Sequence, residues 1–238
     1  MNEYPDYQTY TKLYGRYLTK SIEPFFNGTN LNGMRVLDLC AGAGQLSQYA
    51  IEHGAKEVVM VDEAPQMLNP AFNGNGKVIQ IDADVAYYLG DFGSEIDYRV
   101  PTTNHNGIPL YKSGCPNETP FDIVVCRQAV NYWFGYVTGY DLAKVIKVGG
   151  KFVFNTFGNR PSTTPTTRQY FHGGVCYAEL SYLIGDTIYH VQTAEGMPPH
   201  FTQFKWIDRG EFTMKLKPYF QLVEVIEGPS SMWYCTRL

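Results

Sequence analysis

The run Val36-Leu37-Asp38-Leu39-Cys40-Ala41-Gly42-Ala43-Gly44-Gln45-Leu46 constrains this chain more than any other stretch of it. An apolar segment ends in an acidic residue, a glycine-spaced turn follows, and helical periodicity begins at once. That order predicts strand, tight loop and helix, the βα unit that cradles nucleotides in many folds. Gly42 and Gly44 carry no Cβ, so the backbone can turn sharply there and a ligand can lie against it. Two common uses of such a loop fail. A dinucleotide fingerprint needs a third glycine where Ser47 stands, and a phosphate-cradling P-loop needs a Lys-Ser/Thr pair that does not follow.

The following strands narrow the reading. Glu57-Val58-Val59-Met60-Val61 predicts a buried parallel strand ending at Asp62. That carboxylate lies about twenty residues beyond Gly42, the spacing at which a second-strand acid meets ribose hydroxyls. A carboxylate suits two vicinal hydroxyls because it only accepts, through two oxygens. Lys77 to Val85 predicts a third strand, with Asp82 and Asp84 near its end. Phe121 to Gln128 predicts a fourth, and the Val148-Gly149-Gly150 turn leads into a fifth ending at Asn155.

From about 30 to 157 these elements, with the D-x-x-x-G-x-G loop of Asp38 to Gly44, resemble the class I S-adenosylmethionine-dependent methyltransferases. The resemblance implies an α/β, Rossmann-like seven-stranded sheet, mostly parallel with a terminal antiparallel hairpin, and S-adenosyl-L-methionine as cofactor. It implies a cofactor site built from Asp38, Ala41, Gly42 and Gly44 on the loop, and Asp62, Glu63 and Met67 after the second strand. Ala83, Asp84 and Val85 follow the third strand, where Asp84, or Asp82 one pleat earlier, meets the adenine amino group. Cys126 and Arg127 close the site from the fourth. Residues 5–26 have helical spacing, and in this family an N-terminal helix often folds over the cofactor, which brings in Tyr14 and Arg16. An aromatic stripe at helical spacing, here Tyr7, Tyr10, Tyr14 and Tyr17, more often serves plain packing.

Two regions exceed a minimal core. Residues 90–120 form a glycine- and proline-rich loop insert of a length that is usually functional or mobile. Residues 158–210 predict a β-rich lid, set between core segments 1–157 and 211–238. Within the lid, Val175–Ile184 and Thr187–Ala194 flank Gly185-Asp186, a two-residue hairpin turn, and a third strand runs from His200 to Ile207. Ser181 then lies opposite His190, Glu179 opposite Gln192 and Leu183 opposite Ile188. Leu180, Tyr182, Ile184, Tyr189 and Val191 share the other face, so one face is apolar and one mostly polar. A small antiparallel sheet at this place resembles the lids of small-molecule N-methyltransferases. Gln221 to Glu227 and Met232 to Leu238 predict the terminal hairpin across Gly228-Pro229.

Methyl transfer from a sulfonium is an in-line displacement with an activated reagent, so positioning and desolvation carry most of the catalysis. An amine acceptor needs its lone pair free; a hydroxyl needs a base near neutral pH, for which histidine is suited. His190, with Ser181, Glu179 and Gln192 expected around it, is either an oriented base or a histidine on a solvated strand face. His200 follows two prolines that stiffen its approach. Gln128 and Asn131, just past the fourth strand, stand where the family places groups between cofactor and acceptor.

The remaining features exclude more than they assign. Five scattered cysteines without a C-x-x-C pair argue for reduced thiols, a cytoplasmic setting and no metal. A net charge of −4 and the lack of a basic track disfavour nucleic acid as partner. No apolar run reaches membrane-span length. The expected reaction is methyl transfer to a small-molecule acceptor, at an amine nitrogen or a hydroxyl oxygen, by a chain compatible with a homodimer. Protein or nucleic-acid methylation, a non-catalytic cofactor-binding partner subunit and a nicotinamide enzyme are the alternatives.

Overall fold

The structure is a computed structural model that describes residues 6–18, 22–72, 74–91, 101–103, 109–111, 119–157, 160–227 and 230–238. Five parallel strands carry the fold: β1 (Arg35–Leu39), β2 (Glu57–Asp62), β3 (Val78–Asp82), β6 (Phe121–Cys126) and β7 (Ile146–Phe157). A short antiparallel ladder of β4 (Pro101–Thr103) and β5 (Pro109–Tyr111) lies within the 90–120 segment, most of which falls outside the described residues. The terminal hairpin, β12 (Phe220–Glu227) and β13 (Ser230–Arg237), completes the sheet in the order β12-β13-β7-β6-β1-β2-β3. β13 runs antiparallel to both neighbours. The Gly228-Pro229 connection lies outside the described residues.

Alternation along the buried strands builds a core on each face of this sheet. Leu37, Val59, Val61, Val124, Phe152 and Phe154 face one side with Trp133, Phe134, Phe212 and Trp233. Val36, Val58, Met60, Ile123, Val125 and Val153 face the other with Phe25, Phe26, Leu46 and Ala50. The first layer is covered by α4 (Val85–Asp91), α5 (Val130–Trp133), α6 (Gly139–Val145) and α7 (Arg209–Leu216), the second by α2 (Glu23–Phe26) and α3 (Gln45–Glu52). The predicted N-terminal helix is two: α1 (Tyr7–Leu18) and then α2, whose first turn holds Pro24.

The third strand is shorter than expected. It ends at Asp82, because Asp84 leaves the ladder and accepts the Ala86 N–H through Oδ1 at 2.8 Å, starting α4.

The lid is a separate sheet of four strands rather than three: β8 (Thr166–His172), β9 (Val175–Ile184), β10 (Thr187–Ala194) and β11 (His200–Lys205), in the order β11-β10-β9-β8. β8 is an edge strand, exposed along nearly its whole length, so no alternation marks it in the sequence. The expected register holds, with His190 opposite Ser181 and Gln192 opposite Glu179. The polar face is the buried one: Glu179, Gln192 and Thr202 are inside, whereas Phe171, Ile184 and Phe201 on the apolar face are exposed.

Candidate functional site

Every parallel strand presents its carboxyl end to one side, and the strand order reverses on either side of β1. Ligands of open α/β sheets bind in that crevice. A cleft of 810 Å³ opens there, within the range of small-molecule and cofactor sites. Two walls meet in it.

The first wall is the loop after β1 with the ends of β2, β3 and β6. Asp38, Ala41, Gly42, Asp62, Glu63, Met67, Asp84, Val85 and Arg127 of the expected cofactor set line it, with Tyr14 above. Gly42 donates its N–H to Asp62 Oδ2 at 2.7 Å, and Ala64 donates to Oδ1 at 2.8 Å. Ser47 Oγ donates to Asp38 Oδ2 at 2.7 Å, so the residue that replaces a third glycine holds the loop to its own strand. Burial pushes the Asp62 carboxyl up to about 6 and Asp38 to about 7, against the hydrogen bonds that favour their ionised forms. Arg127 is depressed by burial, with Tyr10 and Asp38 facing it.

Gly44, Ala83 and Cys126 do not line the cleft. Gly44 has a left-handed φ of 76°, and a Cβ there would lie 2.4 Å from Phe72 Cε2 and 2.7 Å from Met60 Cε. Its bareness serves packing behind the loop rather than contact with a ligand. Cys126 is fully buried in the core, and the Cys126 thiol followed by burial holds Cys40 protonated. The side chain of Arg16 lies outside the described residues.

The second wall comes from the segment after β6 and from the lid. Gln128, Ala129, Tyr132, Tyr136, Tyr189, His200, Thr202, Gln203, Phe204 and Lys205 face the cleft. Gln128 adopts a left-handed φ of 57° and donates its N–H to Asn155 Oδ1 at 2.7 Å. Cys40, at the end of the adjacent strand, also has a left-handed φ, of 54°. Strained non-glycine residues of this kind concentrate at functional sites. Tyr14 Oη lies 2.6 Å from His200 Nδ1, which joins α1 to β11 across the mouth. Burial raises the Tyr132 hydroxyl to about 12, so it stays a neutral donor.

Asn131 and His190 do other work. Asn131 is buried and donates Nδ2 to the Lys205 carbonyl at 2.9 Å, clamping the lid edge to α5. His190 lies inside the lid rather than on a solvated face, with Nδ1 3.1 Å from Ser181 Oγ, and burial lowers its basicity. Neither lines the cleft. Conversely Tyr10, Gln45 and Leu46 line it without having been singled out as site residues. Tyr10 belongs to the aromatic stripe, and only the fold turns that face of α1 toward Gly42.

These residues fit an adenosyl cofactor: acceptor-only carboxylates at the ends of β2 and β3, an open glycine backbone, and one half-buried guanidinium. A model of the FtsJ-like methyltransferase family matches residues 19–131, just under half of the chain, and spans this whole first wall. The chain has the class I methyltransferase fold and is a methyltransferase. S-adenosylmethionine is its cofactor.

Solved structures share the fold over all or nearly all of the chain. CalS10, an amino pentose methyltransferase from Micromonospora echinaspora solved with S-adenosylmethionine bound, is 16% identical; the match covers 100% of both chains with a TM-score of 0.63. The sugar N-methyltransferase KedS8 from a Streptoalloteichus species is 14% identical over 100% of this methyltransferase and 94% of its own chain, with a TM-score of 0.61. An S-adenosylmethionine-dependent methyltransferase from Clostridium acetobutylicum is 16% identical over 98% and 92%, with a TM-score of 0.58. At these identities the likeness is one of fold. No curated protein sequence matches the chain significantly. Among the described residues no helix is long and apolar enough to cross a membrane.

Proposed function

We propose that this methyltransferase modifies a small molecule, at an amine nitrogen first and a hydroxyl oxygen second. The observation that carries the reading is the second wall of the cleft. Tyr132, Tyr136, Tyr189 and Phe204 flank a space roofed by the lid, with polar groups at Gln128, Asp186, Thr187, His200, Thr202, Gln203 and Lys205 beside the tyrosine hydroxyls. Such a space suits a compact polar acceptor held between aromatic faces, which also tolerate a cation. A nucleic acid needs a track of cations, and among the described residues Arg127 and Lys205 are the only lysine and arginine that line the cleft. The names of two similar structures, both sugar methyltransferases and one an N-methyltransferase, lend support to nitrogen.

Bound S-adenosylmethionine supplies an electrophilic methyl group on a sulfonium. Asp62 and Glu63 hold the ribose hydroxyls, Asp84 and Val85 the adenine, and Arg127, Asp38 and Tyr10 the methionine end. Gln128 orients the acceptor, and His200, steadied by Tyr14, accepts a proton from it where the acceptor is a hydroxyl. The unit that does this divides into a core, 1–157 with 211–238, and a lid, 158–210; the reading extends to a soluble homodimer.

The test is incubation with S-adenosylmethionine and panels of amines, amino sugars and phenols, with S-adenosylhomocysteine release followed by mass spectrometry. Turnover with a small amine supports the reading. Methylation of protein or RNA with no turnover across the panels overturns it.

A further inference from the structure

Three hydrogen bonds join successive residues of α1 to the lid. Tyr177 Oη donates to the Lys12 carbonyl at 3.0 Å, Gln192 Nε2 donates to the Leu13 carbonyl at 2.7 Å, and Tyr14 Oη meets His200 Nδ1 at 2.6 Å. Leu13 is the only buried side chain among those described in α1. It packs in a cluster of its own with Tyr177 and Ala194, bordered by Tyr14, Tyr170, Val175 and Met197, apart from both layers of the main core. An isolated helix of 12 residues is marginal in water, so tertiary packing decides where α1 lies. The buried part of that packing, around Leu13, belongs to the lid, while α1 also lies against the 65–67 turn after β2.

The other end of α1 reaches the cofactor wall. Tyr10 packs against Tyr14 with ring centroids 4.9 Å apart and planes tilted by 33°, and a Cβ on Gly42 would lie 3.3 Å from the Tyr10 hydroxyl. Gln192 itself is fully buried, does not line the cleft, and leaves its Oε1 without a hydrogen-bond partner. A buried amide that satisfies only its donor end costs stability relative to an apolar residue of similar size. What the amide secures is the register of α1 against β10.

We propose that Gln192 and Tyr177 are positioning residues for the cofactor: by pinning α1 to the lid they set Tyr10 over the glycine loop, and so couple cofactor binding to the lid. The inference rests on the assignment of the first wall to S-adenosylmethionine. Coupling of this kind is reciprocal, so an acceptor that steadies the lid tightens the cofactor by the same factor that the cofactor tightens the acceptor.

The experiment titrates S-adenosylhomocysteine by calorimetry into the wild type, Gln192→Leu, Tyr177→Phe and the double variant. Thermal midpoints and amide hydrogen exchange in β9 and β10 are measured alongside. Each single variant is expected to weaken binding about two- to tenfold, the scale of one hydrogen bond. Gln192→Leu keeps the volume and removes the unpartnered oxygen, so its midpoint stays near that of the wild type. In the wild type the ligand is expected to slow exchange in β10, and in the double variant it does not. Ile184→Ala, on the exposed outer face of the lid, leaves affinity unchanged. Equal affinity in the wild type and the double variant, or lid exchange indifferent to ligand in the wild type, overturns the coupling. Failure of the wild type to bind at all overturns the cofactor assignment itself, which is a different result.

Discussion

Gly42 donates its backbone N–H to Asp62 Oδ2 at 2.7 Å, so the residue that opens the loop is held by the carboxylate at the end of the next strand. On the proposed cofactor assignment, the ribose ligand and the loop anchor are one side chain. Replacement by alanine therefore removes both. Asp62→Ala is expected to weaken S-adenosylhomocysteine about 10- to 100-fold, the scale of one to two hydrogen bonds to a charged group, as read by calorimetry.

Asp62 and Asp38 also give stability a pH dependence. Their carboxyls sit at about 6 and about 7 against an ordinary value of 3.8, chiefly through burial. Between about pH 4 and 7 the folded chain keeps protons that the unfolded chain has lost, so these two groups make stability fall as pH rises through that window. Asp122 and Asp141 are held below the ordinary value by hydrogen bonds and lysines that outweigh burial, so their favourable contribution is lost only below about pH 4. Urea midpoints measured at pH 5, 6 and 7.5 should decline in that order, with a shallower decline in Asp38→Asn. Cofactor affinity should move the opposite way near pH 6, since ionised Asp62 is the better acceptor.

Gly44→Ala tests packing behind the loop. A Cβ in this left-handed position would press on Phe72 and Met60. Backbone strain and overpacking together should cost about 2–4 kcal/mol in urea unfolding. A near-silent substitution would mean that the loop can move away from Phe72 at little cost.

Tyr14 and His200 separate the two acceptor chemistries. With a hydroxyl acceptor, His200→Gln should lower kcat about 10²- to 10⁴-fold, the range of a lost general base. With an amine acceptor the loss should stay within about tenfold, because positioning is all that the histidine then supplies. Tyr14→Phe should follow the same order with smaller losses, measured by S-adenosylhomocysteine release.

Phe154 is the hinge of the aromatic layer beneath the sheet. It stacks on Trp233 with centroids 5.8 Å apart and planes 3° from parallel, and packs on Phe152 and Phe212. Phe154→Ala should cost about 3–5 kcal/mol of stability and leave the cofactor affinity of the folded fraction unchanged.

Local chemistry wrote much of this protein plainly. The glycine-spaced loop, the carboxylate after β2 and the unbroken apolar strands state a parallel sheet and its ligand end, because both depend on residues close in sequence. The β9–β10 register was equally legible, since a two-residue turn fixes which residues face each other. Contacts between distant segments were not. The alternation of the lid strands marks two faces without saying which is inside; burial of Glu179 and Gln192 follows from what they meet, Tyr170 and the Leu13 carbonyl. Gly44 looks from its neighbours like a ligand contact, and only Phe72, brought in by the fold, shows it to be a packing residue. Likewise the aromatic stripe of α1 has one periodicity for core and for site. Which of the two it serves depends on the lid, more than 150 residues further along the chain, to which Lys12, Leu13 and Tyr14 are bonded.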